Sequence, residues 1–542
     1  MRSSTKFLLS CLAVLGLSTT YAQSDKTRVR VKISTDNEAD ARMRPYSIVR
    51  SSPNAIMMFR NGEFDVRAFG KLSARLDLYD RTKLTFIRSQ EPATKLGNGA
   101  KILLEDLVYF AGRPILIARG TGDETALYYQ AQEPNLTRLP RPFEKLCTWD
   151  MKVKDRRPLV VSGGSALREP FNVRVSRDTT HMLVHSPEIR SEEGQAVVLL
   201  AMIGSDMGVL WQHVVPVAET TRLTEILDVE LDNSGSAYIL VKNNFSKKDV
   251  KEDVANFEIK LFKASAEGVV ESVFNLGSDV FPSSAMLQML ENGRIACAGV
   301  YSSTADNRLR TIGNFMTTFE AGSTEMGEPV MLPFNDKTTL GAEGEPEEDP
   351  ATKFEQKDKK KMALSTDLIA LLPRSDGGYF MVNELYYSYT YYNTTLKRMV
   401  TMYVHGPVQS RCIDKAGNET WSTDFRRWTA SESKILGRVF CAEYNDQLFL
   451  FLLDSEEMAE RRKAGEKIKP NHIKGPYSAY VAFDENGGFK IKSILKSDKE
   501  EDFISGWELV RTGKDEYIAL GTEKLMSGRF LPVRIEFSTE SK

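Results

Sequence analysis

The sequence predicts an all-β fold, a single β-propeller of about eight four-stranded blades, with seven as the alternative. Three observations predict it. A β-rich unit recurs loosely about eight times between Tyr46 and Lys542, its turns carry the residues that tight hairpins require, and its apolar runs have the length of strands. A unit of four short strands cannot bury its own faces, so copies must stack on neighbours, and a closed ring does this with the fewest sheet edges.

In the clearest copy, Leu227 to Leu231 runs into the turn Asp232-Asn233-Ser234-Gly235, then Ala237 to Lys242. A polar insert, Phe257 to Lys263, the turn Ala266-Glu267-Gly268 and Val269 to Leu276 complete it. Copies begin near Tyr46, Lys101, Phe171, Thr224, Ser284, Thr366, Lys434 and Phe503. This spacing exceeds the roughly 40 to 50 residues of common blade families, and the excess lies in inserts. Turns such as Glu291-Asn292-Gly293, Asp376-Gly377-Gly378, Asn445-Asp446 and Asp484-Glu485-Asn486-Gly487-Gly488 tolerate the positive φ of tight hairpins. Runs such as Ala55 to Phe59, Pro114 to Ala118 and Leu448 to Leu453 are apolar throughout. That suits strands covered on both faces by neighbouring blades.

The last copy, from Ile504 through Leu520 to Phe537, supplies only three strands. Arg28-Val29-Arg30-Val31-Lys32-Ile33 is expected to be the missing fourth, closing the ring by joining the two ends of the chain. Residues 1–22 read as a cleaved signal peptide: Arg2 and Lys6, the apolar stretch Phe7 to Leu17, and Thr20-Tyr21-Ala22. The apolar stretch is too short to span a bilayer, so the mature chain, 23–542, is expected in the periplasm or at the cell surface with no transmembrane segment. Within it, 341–362 is expected to be a disordered insert, charged and nearly free of large apolar residues. The insert 455–469 reads as a short exposed helix with Ser455 as N-cap, a solvated decoration.

With 41% hydrophobic and 27% charged residues and a formal net charge of -2, the chain favours neither nucleic acid nor an anionic membrane surface as partner. Cys147, Cys297, Cys412 and Cys441 remain after cleavage; their spacing suggests no disulfide framework, and free buried thiols are expected. No CxxC, GxSxG, HExxH or Walker loop occurs, and the Asp-Gly turns lack the ligand alternation of a calcium loop. At Asp206 and Asp414, Gly204 and Cys412 stand where an Asp-box has Ser. His181 and His185 share a strand face but lie about 13 Å apart, too far to share a metal. No metal, cofactor or catalytic set is expected.

Asp206-Met207-Gly208-Val209-Leu210-Trp211 and Asp414-Lys415-Ala416-Gly417-Asn418-Glu419-Thr420-Trp421 place a turn Gly shortly before a Trp. These segments resemble the blade signature of quinoprotein-like propellers, a family that includes quinone-cofactor dehydrogenases and eight-bladed envelope assembly factors. The resemblance implies, for the dehydrogenases, a vicinal cysteine pair; this chain has no Cys-Cys, and its Trp residues are expected to pack between blades. Gly378 to Glu384 and Cys297 to Ser302 resemble segments of uncharacterised exported propeller-like proteins of bacterial envelopes, which imply no activity.

Tyr386-Tyr387-Ser388-Tyr389-Thr390-Tyr391-Tyr392 is the most unusual stretch. If the strand from Tyr379 continues through it, Tyr387, Tyr389 and Tyr391 share a face. Such a ladder suits glycans and peptides, because Tyr offers wide contact at low entropic cost; it equally suits cross-strand aromatic packing inside a long hairpin. The expected function is that of a monomeric, non-enzymatic scaffold binding a protein or glycan of the cell envelope through Tyr387, Tyr389 and Tyr391. The alternative is a propeller glycoside hydrolase or lyase acting on extracellular polymer.

Overall fold

Among the described residues eight antiparallel sheets follow one another along the chain, each built on a four-stranded meander, with Ile189–Arg190 added to the third and Thr429–Ser431 to the sixth. Blade 1 is Pro45–Ser52, Ala55–Arg60, Arg75–Asp80 and Phe86–Gln90; blade 2 is Ile102–Phe110, Arg113–Gly120, Thr125–Ala131 and Glu144–Trp149. Blade 3 is Asn172–Val175, His181–His185, Ala196–Gly204 and Val209–Ala218; blade 4 is Thr224–Leu231, Ala237–Asn244, Phe257–Ser265 and Gly268–Phe274. Blade 5 is Val280–Met289, Arg294–Ser303, Gly313–Glu320 and Val330–Pro333; blade 6 is Ser365–Pro373, Tyr379–Asn393, Arg398–Ile413 and Glu419–Phe425. Blade 7 is Phe440–Tyr444, Gln447–Asp454, Tyr477–Phe483 and Phe489–Leu495; blade 8 is Phe503–Gly513, Glu516–Thr522, Phe530–Thr539 and Thr27–Ile33. The computed structural model describes residues 27–34, 45–60, 74–122, 124–138, 141–151, 159–161, 165–167, 171–187, 189–191, 194–219, 223–246, 250–251, 254–277, 280–303, 311–334, 365–394, 397–432, 437–466, 468, 476–495, 503–522 and 530–539. The expected signal peptide and the insert 341–362 lie outside the described residues.

The first strand of each blade touches the first strand of the next, and blade 8 returns to blade 1, so the ring is closed. The closing sheet pairs Thr27–Ile33 with Phe530–Thr539 over seven positions, from Thr27 against Thr539 to Ile33 against Val533. Along Thr27–Ile33, Val29, Val31 and Ile33 turn toward the blade 7–8 core while Arg28, Arg30 and Lys32 face solvent. This period-two alternation belongs to a strand buried on one side. Ser34 extends the closure to blade 1 by donating from Oγ to the Leu84 carbonyl at 2.6 Å.

Eight apolar clusters fill the gaps between neighbouring blades, one to a gap. Strands in mid-blade are therefore covered on both faces, which is why Ala196–Gly204 is buried at all nine positions. Trp211 and Trp421 belong to these gaps: Trp211 donates from Nε1 to the Gly235 carbonyl of blade 4, and Trp421 stacks on Phe483 of blade 7 at 5.6 Å. Cys147, Cys297 and Cys412 are buried free thiols and Cys441 is a half-buried one.

Inner strands bulge at Ser47, Asp106, Asp228 and Ser284. Three of these side chains reach into the next blade: Leu107 N–H donates to Ser47 Oγ, Leu287 N–H to Asp228 Oδ2 and Leu368 N–H to Ser284 Oγ. A bulge re-aims a side chain, and here it clasps one blade to its neighbour. Burial pushes the Asp106 carboxyl up to about 7. Its folded-state value thus exceeds that of the unfolded chain, so the stability it contributes is greatest below about pH 4 and falls as pH rises through about 7. Asp106→Asn should accordingly gain stability relative to the parent by about 1–2 kcal/mol more at pH 8 than at pH 5, the half-open position discounting the full shift. Urea midpoints at the two pH values measure this; an equal difference at both would remove the buried-acid account.

Candidate binding site

A ninth apolar cluster lies outside the series of blade gaps, and it marks where blade 6 departs from the others. The strands Tyr379–Asn393 and Arg398–Ile413 are the longest described, 15 and 16 residues, so their hairpin outruns its own blade. A register shift between Glu384 and Tyr386 marks the root of the extension. Beyond it Tyr387, Tyr389 and Tyr391 oppose Val404, Met402 and Val400 on one face. Tyr386, Ser388, Thr390 and Tyr392 oppose His405, Tyr403, Thr401 and Met399 on the other.

The Tyr387–Tyr389 ring centroids are 6.4 Å apart with planes 29° from parallel, and the Tyr389–Tyr391 centroids 6.1 Å apart at 36°. A ladder therefore exists, graded in exposure. Tyr387 is 8% exposed, packed edge-on to Trp428 at 6.4 Å and clustered with Leu385, Val404, Met458 and Ile468. Tyr389 and Tyr391 are half-buried, and Tyr392 and Met399 at the far end of the opposite face are exposed.

What covers Tyr387 is Trp428, just after blade 6, together with an insert of blade 7. The helix Glu456–Ala464 starts at Ser455, whose Oγ accepts from Met458 N–H, and ends at Gly465 with φ 72°, a left-handed conformation that glycine adopts without a Cβ penalty. The sequence reads 455–469 as a short exposed helix; most of the helix does face solvent, but Met458 is fully buried against the blade 6 hairpin. Arg462, one turn beyond Met458 on the same face, also fixes the helix, donating from Nη2 to Asp454 Oδ2 at 2.5 Å and lying 4.6 Å over the Phe425 ring.

Beneath the ladder is a polar root with almost no solvent. Glu384, His405 and Arg427 are each at most 2% exposed. His405 Nδ1 lies 3.1 Å from Glu384 Oε2, Arg427 Nη1 lies 3.6 Å from Glu384 Oε1, and Val439 N–H donates to the same Oε1 at 3.2 Å. Arg427 Nη2 also donates to Thr429 Oγ1 at 2.9 Å and to the Gly437 carbonyl. Gly437 permits this: a Cβ there would stand 2.5 Å from His405 Cδ2. Desolvation lowers the Arg427 pKa from its usual value. The enclosure makes the trio an anchor for the hairpin and leaves a substrate no access to it.

Acids also stand on the inner strand of blade 4. Burial raises the Asp228 carboxyl above its usual range and pushes Glu230 up to about 7. Arg174 of blade 3 reaches Asp228 Oδ1 at 3.2 Å. Both carboxylates accept backbone amides, Asp228 from Val229 and from Leu287 of blade 5, and Glu230 from Leu231 and from Met289 of blade 5, so they act as blade clasps. His181 and His185 serve structure as well: His181 Nδ1 is 2.8 Å from Thr180 Oγ1, and the buried His185 is pulled down to about 4 by desolvation. Among the described residues no group of three or more His, Cys, Asp or Glu is placed to hold a metal ion. No described helix is long and apolar enough to cross a membrane.

Trp428, Met458 and Ile468 escaped the reading of the sequence because nothing local links them to the tyrosines; they lie on separate elements that meet only in the folded ring. The composition around 386–392 was the single available signal.

No family model matches this chain, and no curated protein does. Among solved structures it is similar to a Dyadobacter fermentans protein of unknown function, with 9% identity, 95% of this chain and 99% of that one covered, and a TM-score of 0.33. It is also similar to the β-propeller domain of the trilobed protease of Pyrococcus furiosus, with 9% identity, coverage of 80% and 94%, and a TM-score of 0.33. A third likeness is to an ulvan-cleaving polysaccharide lyase, with 10% identity, coverage of 54% and 71%, and a TM-score of 0.31. At these TM-scores the likenesses carry nothing about function, and the eight-bladed ring rests on the strand pairing of this chain itself.

Proposed function

We propose that this chain is an exported, monomeric, non-enzymatic propeller that binds a glycan or peptide segment of the cell envelope along the open end of the blade 6 tyrosine row. The observation that carries the reading is the graded ladder: Tyr389 and Tyr391 are half-buried rings held in order by Tyr387, which is itself packed under Trp428 and the blade 7 helix. Rings fixed in this way lose little rotamer freedom on contact with a ligand, and their hydroxyl tips give polar partners beside apolar faces. Exposed Tyr392 and Met399 widen the same projection.

Fluorescence titration with defined fragments of envelope polysaccharides and with extended peptides tests it. Tyr389→Ala and Tyr391→Ala should each weaken binding about tenfold with the melting temperature nearly unchanged. Tyr387→Ala should lower stability by about 3 kcal/mol, since it empties a packed position. Full affinity in the Tyr389→Ala, Tyr391→Ala double variant would remove the site.

The hydrolase alternative draws on Asp228 and Glu230, two positions apart on one strand and so on one face of the sheet. Their engagement by backbone amides favours the structural role.

A further inference from the structure

Each blade ends in an outer strand whose far edge carries no further strand among the described residues, and such edges invite pairing unless defended. Charge or proline defends most of them here. Blade 1 has Arg88, blade 2 Lys145, blade 5 Pro333, blade 6 Glu419 and Asp424, blade 7 Lys490 and Lys492, and blade 8 Arg28, Arg30 and Lys32. Blades 3 and 4 differ. Their outer strands, with Glu271 as the one acid or base between them besides His213, carry Val209, Leu210, Val214, Val269, Val270 and Val273, half of the exposed large apolar side chains among the described residues.

Blade 3 still breaks its edge with Pro216 and two register shifts. Blade 4 does not. Gly268–Phe274 pairs with Phe257–Ser265 over seven positions without a shift, and Val270 and Val273 are 58% and 63% exposed. A regular edge rich in β-branched residues is the template that an added strand needs.

Charge narrows the occupant. Lys260 lies 3.5 Å from Glu258 and 3.2 Å from Glu271, one ammonium shared by two carboxylates, so the sheet carries a surplus negative charge beside its valines. A second copy is a poor match, because antiparallel self-pairing centred on Glu271 sets two carboxylates directly opposite. We propose that the outer edge of blade 4 accepts, as a fifth strand, an extended segment of a protein partner in which β-branched residues flank a Lys or Arg that meets Glu271. This edge is separate from the blade 6 hairpin and does not depend on the tyrosine reading.

The test uses a fluorescein-labelled acetyl-TVKVTV peptide and its counterpart with glutamate in place of lysine, titrated with the mature chain by anisotropy. The lysine peptide should bind about tenfold more tightly than the glutamate peptide, and Glu271→Lys should reverse that order. Val273→Lys should weaken both, with the circular dichroism melt reporting that each variant is folded. Absence of saturable binding by either peptide would overturn the proposal, as would the same peptide preference in the parent and in Glu271→Lys. A concentration-dependent dimer in sedimentation that Val273→Lys dissolves would overturn it in favour of a second copy.

Discussion

Glu384→Ala should destabilise the protein by about 3–5 kcal/mol, the largest loss expected of any single substitution here. The carboxylate answers three groups at once: His405, Arg427 and the Val439 amide. Its removal leaves Arg427, at 0% exposure, hydrogen-bonded only to the neutral Thr429 and Gly437, with Asp454 as the remaining nearby acid, itself already paired with Arg462. A buried cation that loses its direct ion-pair partner is costly, whereas replacing a buried pair by apolar groups of similar volume is often neutral. Glu384→Leu combined with Arg427→Met should therefore recover more than half of the loss. Urea unfolding followed by tryptophan fluorescence is suitable, because Trp428 follows Arg427 in the chain and packs on Tyr387 of the hairpin. An unchanged midpoint in Glu384→Ala would show that the ion group does not anchor the hairpin.

The second large effect is expected from deleting residues 23–35, which removes the closing strand. Seven backbone pairings to Phe530–Thr539 disappear, together with the packing of Val29, Val31 and Ile33 and the tie from Ser34 to Leu84. At about 1 kcal/mol net for each lost hydrogen bond, and roughly half the full burial value for each apolar side chain, the loss is on the order of 5 kcal/mol or more. Removal also uncovers Val533, Ile535 and Phe537, now among the most buried residues of blade 8, on a new edge. Lower thermal stability and a fall in soluble yield should appear together. A deletion variant that melted at the parent temperature would mean that the ring does not depend on joining its two ends.

Much of this architecture is legible locally. The turn at Asp232-Asn233-Ser234-Gly235 is specified by residues that need no distant partner: Asp232 Oδ1 accepts from the amides of Ser234 and Ser236, and Gly235 takes a φ of 82°. The alternation in Thr27–Ile33 likewise announces a half-buried strand before any partner is known. Period two also dictates that Tyr387, Tyr389 and Tyr391 share a face. None of these depends on what stands across the sheet.

The helix shows where such reasoning stops. Ser455, the acids Glu456 and Glu457 and Gly465 encode its ends, since capping is a matter of neighbours along the chain. Its docking is a different matter: of its apolar positions, Met458 alone is buried, so no stripe of the 3.6-residue period advertises a buried face. The same holds for Glu384, His405 and Arg427, which are unremarkable as isolated letters and meet only because a long hairpin and the next blade enclose them.

The sequence by itself therefore determined the all-β class, many of the strands and their turns, and it pointed to about eight blades and to the pairing of the chain's two ends, because each follows from short-range conformational preference and from the period of apolar residues. Only the tertiary structure decided which end of the tyrosine row is covered, which acids became clasps and which blade edge stayed undefended. Those outcomes depend on burial, and burial is set by residues that approach through space from other blades.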